Sequence, residues 1–323
     1  MQNMLKNCLL LTTLLLSTVF AQDLDLMDLS LDELLNMEVT VASKSGMSLR
    51  ETPGIVTLVT KEEIRNSGAR DLIDVLRMVA GIDFGLDVQG TVGMAVRGNW
   101  GHDGKVLLMM DGIALNEISY STTQFGNHYS VDQIERIEVI RGPGSSIYGG
   151  NAELGVVNII SKKGKDLNGI MASGTIGNYS DALGRSNFNV SAGKELGDLQ
   201  WSMHFLSGKG NRSDRDFVDI EGTSYNVADG GSEINPTLFN AGLQYKNFSL
   251  RAIYDHYALS SYSGYDYSMD HPVEMSFTST FLQGDYNFKL NEKIDLNSNL
   301  VYSIQKPWYS EDEAQAYASE GNR

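Results

Sequence analysis

Residues 134–152 read IERIEVIRGPGSSIYGGNA, and residues 155–162 read GVVNIISK. The first part opens as a strand over Ile134 to Ile140, with Arg136 and Glu138 out of phase with Ile137 and Val139. Arg141 to Gly150 is a glycine-rich turn, in which Pro143 is placed to start a short helix. Val156 to Ile160 is a second strand, of the continuous apolar kind that a covered sheet needs.

Upstream, Val106-Leu107-Leu108-Met109-Met110 predicts another buried strand, ending at the turn Asp111-Gly112. Leu72, Val75, Leu76 and Val79 recur at helical spacing, and Gly81 is placed to close that helix. Thr60 and Glu63 have the spacing of a capping box, so a shorter helix starts there and Gly68 stops it. Ile55 to Val59 is a compact β-type run before it. Met78, Met94, Met109 and Met110 fall inside apolar runs and are expected in the core. Residues 53–165 therefore read as one small α/β domain.

Residues 1–21 read as an export signal. Lys6 gives the positive start, Leu9 to Phe20 the apolar run, and Val19 and Ala21 a cleavage site before Gln22. The only cysteine, Cys8, precedes that run, so the exported chain is expected to have no disulfide and no thiolate metal site. Residues 22–52 are an acidic amphipathic stretch followed by Glu38-Val39-Thr40-Val41-Ala42-Ser43. That β-prone hexapeptide suits either a strand added to another protein's sheet edge or the α/β domain's own first strand.

Residues 166–323 alternate apolar with polar over seven stretches: 170–176, 183–195, 199–207, 237–246, 248–257, 275–290 and 294–305. Leu199, Trp201, Met203 and Phe205 against Gln200, Ser202 and His204 is the clearest case. Strict alternation gives each strand one apolar and one polar face. Tight turns at 196–198, 246–248 and 291–293 alternate with long connections at 208–236, 259–274 and from 307 onward, and one short outer connection at 178–182. That asymmetry is the pattern of a transmembrane β-barrel, with Trp201, Tyr245, Tyr254, Tyr286 and Tyr302 as candidates for its aromatic bands. Seven strands cannot close around a domain, which needs about 22, so an incomplete barrel and a truncated chain are expected.

The balance of 41 Asp and Glu against 25 Lys and Arg, a net charge of −16, argues against nucleic acid as a partner. His102, His128, His204, His256 and His271 show no metal-ligand spacing. Residues 98–105 only faintly follow a phosphate loop, and no nucleophile elbow is present, so neither an enzyme nor a cofactor is expected.

In order along the chain, DLIDVLRMVAGI, an Arg-Gly pair, the strand ending in Asp-Gly, IERIEVIRGPGSSIYGGNA and GVVNIISK resemble the plug domain of TonB-dependent outer-membrane receptors. The resemblance implies an α/β plug followed by antiparallel transmembrane β-barrel strands, in the outer membrane of a Gram-negative bacterium. It places Glu38, Val39, Thr40, Val41, Ala42 and Ser43 where the family carries its TonB box, the coupling segment for TonB of the inner-membrane energy-coupling complex. It implies active uptake of a scarce nutrient such as siderophore-iron, vitamin B12 or haem. It matches Arg97 and Arg141 to positions that contact the barrel wall. The outward plug loops carry the candidate ligand contacts Trp100, His102, Tyr120, Phe125, His128 and Tyr129. The alternatives are a passive outer-membrane channel, a surface adhesin, or a non-functional receptor fragment.

Overall fold

The computed structural model describes residues 38–39, 47–48, 55–87, 91–219, 221–263, 268–291 and 294–311. The expected export signal and Thr40 to Ser43 lie outside them. Strand β1 (Glu38–Val39) pairs antiparallel with β2 (Met47–Ser48), and neither joins a larger sheet.

Strand β3 (Val56–Thr60) runs into helix α1 (Lys61–Ser67) through the expected capping box. The Glu63 amide donates to Thr60 Oγ1 at 3.3 Å, and the Thr60 amide donates to Glu63 Oε2 at 2.8 Å. Gly68 ends the helix in the left-handed region. Helix α2 (Leu72–Leu76) starts at Asp71 but stops before the expected Gly81. Its chain tightens into i→i+3 bonds, Met78 N–H to Val75 O at 3.1 Å and Val79 N–H to Leu76 O at 3.0 Å. The tightening keeps Val79 buried but turns Met78 out to solvent, against the expectation of a core methionine.

Strands β4 (Ile82–Leu86), β5 (Val92–Val96) and β6 (Asn99–Trp100) form a small antiparallel sheet. The main plug sheet adds β7 (Val106–Met110), β8 (Ile113–Ala114), β9 (Ile134–Arg141) and β10 (Gly155–Ser161) to β3, in the order β3-β9-β10-β7-β8. Only β10 and β7 pair in parallel. Both are buried throughout, which is why their sequences are continuously apolar. Asp111 and Gly112, at φ 50° and 86°, make the two-residue turn between β7 and β8. Helix α3 (Ser145–Tyr148) covers the face that the alternation of β9 left polar. Glu138 is buried there and accepts from Arg136 at 2.8 Å. Burial, with the Glu138 charge beside it, pushes the Tyr148 hydroxyl up to about 12.

After helix α4 (Gly164–Leu167), the wall begins. It comprises β11 (Gly169–Asn178), β12 (Leu183–Leu196), β13 (Leu199–Asn211), β16 (Glu233–Tyr245), β17 (Phe248–Ser263), β18 (Ser268–Asn291) and β19 (Ile294–Tyr309). The small hairpin β14 (Phe217–Val218) and β15 (Ser224–Tyr225) sits in the long connection between β13 and β16. All seven wall strands pair antiparallel with their chain neighbours. Two-residue turns at 197–198 and 246–247 mark one end of the wall. Of the expected long connection over 259–274, residues 259–263 and 268–274 are strand instead, with Leu259 opposite Met275 and Ser261 opposite Val273. Ile234, Tyr257, Leu259, Met275 and Phe277 form a buried cluster that holds this hairpin together where it passes the expected strand ends.

The wall is inverted relative to a water-soluble sheet. On β13, Met203 and Phe205 are 45% and 37% exposed, while Ser202 and His204 are 4% and 1% exposed. The apolar face looks outward along the whole sheet, through Leu243, Leu250, Leu282, Leu296 and Leu300 among others. Its aromatic residues fall into register rows. Tyr245, Phe248 and Tyr286 are successive partners beside the short turns, and Phe205, Phe239 and Tyr254 are successive partners further along. From Phe248 to Tyr254 the strand rises by roughly 20 Å at ~3.4 Å per residue, close to the ~25 Å apolar band of an outer-membrane barrel.

Candidate functional site at the seam between plug and wall

The plug packs on the inner face of the wall, and the two share one core. Leu206, Leu238, Ile253 and Phe281 of the wall belong to the same buried cluster as Leu76, Leu108 and Ile137 of the plug. Around that apolar contact runs a ring of polar bonds.

At the long-connection end, Asp71 joins three pieces of chain. Its Oδ1 accepts from the Ile73 and Asp74 amides at 3.0 and 3.3 Å, which caps α2. Its Oδ2 accepts from the Asn127 amide at 3.1 Å and from Arg185 Nη2 of β12 at 2.7 Å. Arg185 Nη1 also donates to the Arg70 carbonyl at 2.7 Å. The amide side chains of Asn127 and Asn187 exchange hydrogen bonds at 2.9 and 2.6 Å.

Midway, His128 stands between the Gln124 carbonyl, 2.7 Å from Nδ1, and Asp255 of β17, 2.6 Å from Nε2. Its ring stacks on Tyr129 at 4.1 Å and lies 4.6 Å from Tyr257. The Tyr257 hydroxyl points at the Phe125 and Gly126 carbonyls, at 2.9 and 3.0 Å.

Towards the short-turn end, Arg251 of β17 reaches Asp111 Oδ2 at 2.7 Å and Asn240 Oδ1 at 2.7 Å. Asp111 also accepts from the Ser161 amide at 3.0 Å, the Ser161 hydroxyl at 2.7 Å and Asn240 Nδ2 at 3.1 Å. Burial pushes the Asp111 carboxyl up, but Arg251, Ser161 and Asn240 outweigh it and hold it below the usual carboxylate range. Gln133 Nε2 donates to the Phe205 carbonyl at 2.9 Å, and His204 Nε2 lies 2.8 Å from the Lys162 carbonyl.

The candidate residues from the sequence divide between these places. Trp100 and Tyr120 are exposed. Tyr120 packs edge-on against Trp308 of β19 at 5.8 Å. Phe125, His128 and Tyr129 are buried and build the seam rather than an open surface. His102 is buried within the plug, 3.0 Å from Thr91 Oγ1 and 3.1 Å from Asp87. Arg97 is exposed, and Arg141 donates to the Ala80 carbonyl of the plug at 3.1 Å. The two arginine ion pairs across the seam run the other way, from plug aspartates to wall arginines. Glu38 and Val39 lie in β1, the described part of the expected coupling segment. Sequence reasoning missed Asp71, Asp111, Arg185 and Arg251. Asp71 was legible as a cap before an apolar run, but nothing local signals a partner 114 residues away. Among the described residues no group of three His, Cys, Asp or Glu is placed to hold a metal.

Comparison with known proteins agrees with this architecture. Residues 48–156 match the family TonB-dependent Receptor Plug Domain. The chain is 33% identical over 156 residues to the vitamin B12 transporter BtuB of Vibrio vulnificus (strain CMCP6), a match covering 47% of this chain and 24% of that protein. The FrpB iron transporter of Neisseria meningitidis superposes with a TM-score of 0.59 at 17% identity, covering 82% of this chain and 43% of that one. A variant of the ferric enterobactin receptor PfeA of Pseudomonas aeruginosa gives 0.54 at 18% identity, covering 79% and 41%. The chain thus spans less than half the length of these proteins. Residues 48–156 are thus matched by the plug-domain family of the TonB-dependent receptors, and the seven antiparallel strands behind them have the fold of a receptor barrel wall.

Proposed function

We propose that the chain serves active, TonB-dependent uptake of a scarce nutrient, such as siderophore-iron, vitamin B12 or haem, across the outer membrane of a Gram-negative bacterium. The observation that carries this is a folded plug bonded by charged side chains to a wall whose far face is apolar. A passive channel has no need of such a stopper. The wall's outer face meets lipid, and nutrient arrives at the end with the long connections.

The outer membrane holds no ATP, so work on the plug must come from the inner membrane as a pull. The segment Glu38 to Ser43 would receive TonB as an added strand, because main-chain hydrogen bonds hold any extended sequence. The extended backbone of Glu38 and Val39 in β1 supports that role. The seam sets what a pull has to overcome: a shared apolar core and a few buried ion pairs, each breakable singly.

Val39→Pro removes a main-chain donor from the segment. In the membrane-embedded receptor it is expected to abolish energised uptake while leaving ligand binding intact. Normal uptake by this variant would refute the coupling role.

A further inference from the structure

Among the described residues, His128 alone sets both ring nitrogens against the oxygens of a carbonyl and a carboxylate. Nδ1 lies 2.7 Å from the Gln124 carbonyl of the plug, and Nε2 lies 2.6 Å from Asp255 Oδ1 of the wall. A neutral imidazole has a single N–H. It would leave one bare nitrogen lone pair pressed against an oxygen lone pair. The contact therefore holds one proton more than a neutral ring beside a carboxylate supplies. The other buried histidines need no such proton. His204 Nδ1 lies 2.9 Å from the Ser191 hydroxyl, which can donate to it. His102 is bonded only through Nε2, and its Nδ1 has no partner.

The surroundings keep the extra proton on the ring. The side chains of His128 and Asp255 are 3% and 12% exposed. Tyr129, stacked on the ring, hydrogen-bonds the same carboxylate. Burial, and then the Asp255 charge, push the Tyr129 hydroxyl well above its ordinary range, so it stays a donor. The Tyr257 hydroxyl is turned to the Phe125 and Gly126 carbonyls and gives nothing to Asp255. The strand partners of Asp255, Leu238 and Ser279, carry no charge. Arg212 and Asp71 are the next charges and act on Tyr257. Arg212 donates to the Ser260 carbonyl, and Asp71 is tied to Arg185. A carboxylate that already accepts from Tyr129 is placed to accept again, so the shared proton belongs to Nε2.

We propose that the docked plug holds His128 as an imidazolium clamped between Gln124 and Asp255, a single-proton latch across the seam that weakens as pH rises. Loss of the proton leaves a buried oxygen facing a bare nitrogen, with no water to replace the bond. Undocked, the ring needs no second N–H, so the docked form binds up to one proton more. Its contribution is therefore present at low pH and lost as pH rises. The inference concerns how firmly the plug is held and stands apart from the uptake reading.

Two measurements on the membrane-embedded receptor test it. Nitrogen NMR of receptor isotopically labelled in its histidines, with His128→Gln to identify the ring by difference, should show both His128 nitrogens protonated at neutral pH. Release of the plug from the wall in urea is followed in lipid vesicles by tryptophan fluorescence, since Trp308 packs on Tyr120 across the seam. Over about pH 5.5 to 9, the range in which histidines ordinarily change charge, the docking equilibrium should weaken by up to about tenfold per pH unit. His128→Gln keeps a donor for Asp255 but does not titrate, and Asp255→Asn can donate to a neutral ring, so both should flatten that dependence. The NMR reads the parent protein, so a variant that docks poorly does not blunt the test. The proposal is overturned if either His128 nitrogen lacks a proton at neutral pH, if docking of the parent is independent of pH over that range, or if His128→Gln keeps the parent's slope.

Discussion

Asp71 does three jobs with one carboxylate: it caps α2, fixes the Asn127 loop and holds Arg185 of the wall. Both partners of that ion pair are largely buried. Removing one leaves the other's charge uncompensated, so Arg185→Ala should cost about 3 kcal/mol of plug docking, measurable as a shift in thermal unfolding. Asp111 gives a second prediction, in pH. Its carboxyl is held below the ordinary value of 3.8, so its contribution is present above that value and fades as pH falls through the depressed one. Unfolding of the parent between about pH 6 and 2 should show this acid limb, and Asp111→Asn should lack it. Residue-scale features were legible in the sequence where they are local. The capping box of Thr60 and Glu63 needs only a spacing of three, and it forms as expected. The bonds of Asp111 and Asp71 to the wall join segments more than a hundred residues apart, and no local pattern carries that information.

At the scale of elements, all seven wall strands were visible, because period-two alternation survives wherever one face meets lipid and the other does not. Their ends were less visible. The β17–β18 hairpin runs on past its expected limits because a buried apolar cluster extends beneath it. Helix α2 stopped short because its last turn tightened, which spacing alone does not foretell. The alternation also breaks where the wall meets the plug. Leu206, Leu238 and Ile253 stand at inward positions where a water-filled lumen would want polar groups. These breaks read as noise in the sequence and are the footprint of the plug. The outward face gives a third prediction. Leu243→Arg puts a charge on the lipid side and should cost about 2–4 kcal/mol of barrel stability if it lies near the midplane, while Gln244→Arg on the opposite face should cost far less. Urea unfolding in lipid vesicles compares the two.

For the whole molecule, the division into plug and wall came from resemblance to a family, while composition and periodicity supplied only the α/β unit and the strands. The relation between them, one core inside an inverted sheet, belongs to the fold. A water-soluble body built from the same hairpins would bury Met203 and Phe205 and expose Ser202 and His204, the reverse of what is found. The most direct test is therefore a nitroxide scan of β13. The only cysteine is Cys8, so with Cys8 replaced by serine single cysteines at 202, 203, 204 and 205 can be labelled one at a time. In the membrane-embedded receptor, labels at 203 and 205 should relax with dissolved oxygen, as in lipid, and labels at 202 and 204 should be shielded from both oxygen and a water-soluble nickel chelate. Labels at 203 and 205 that respond to the nickel chelate, or four positions that respond alike, would contradict the account.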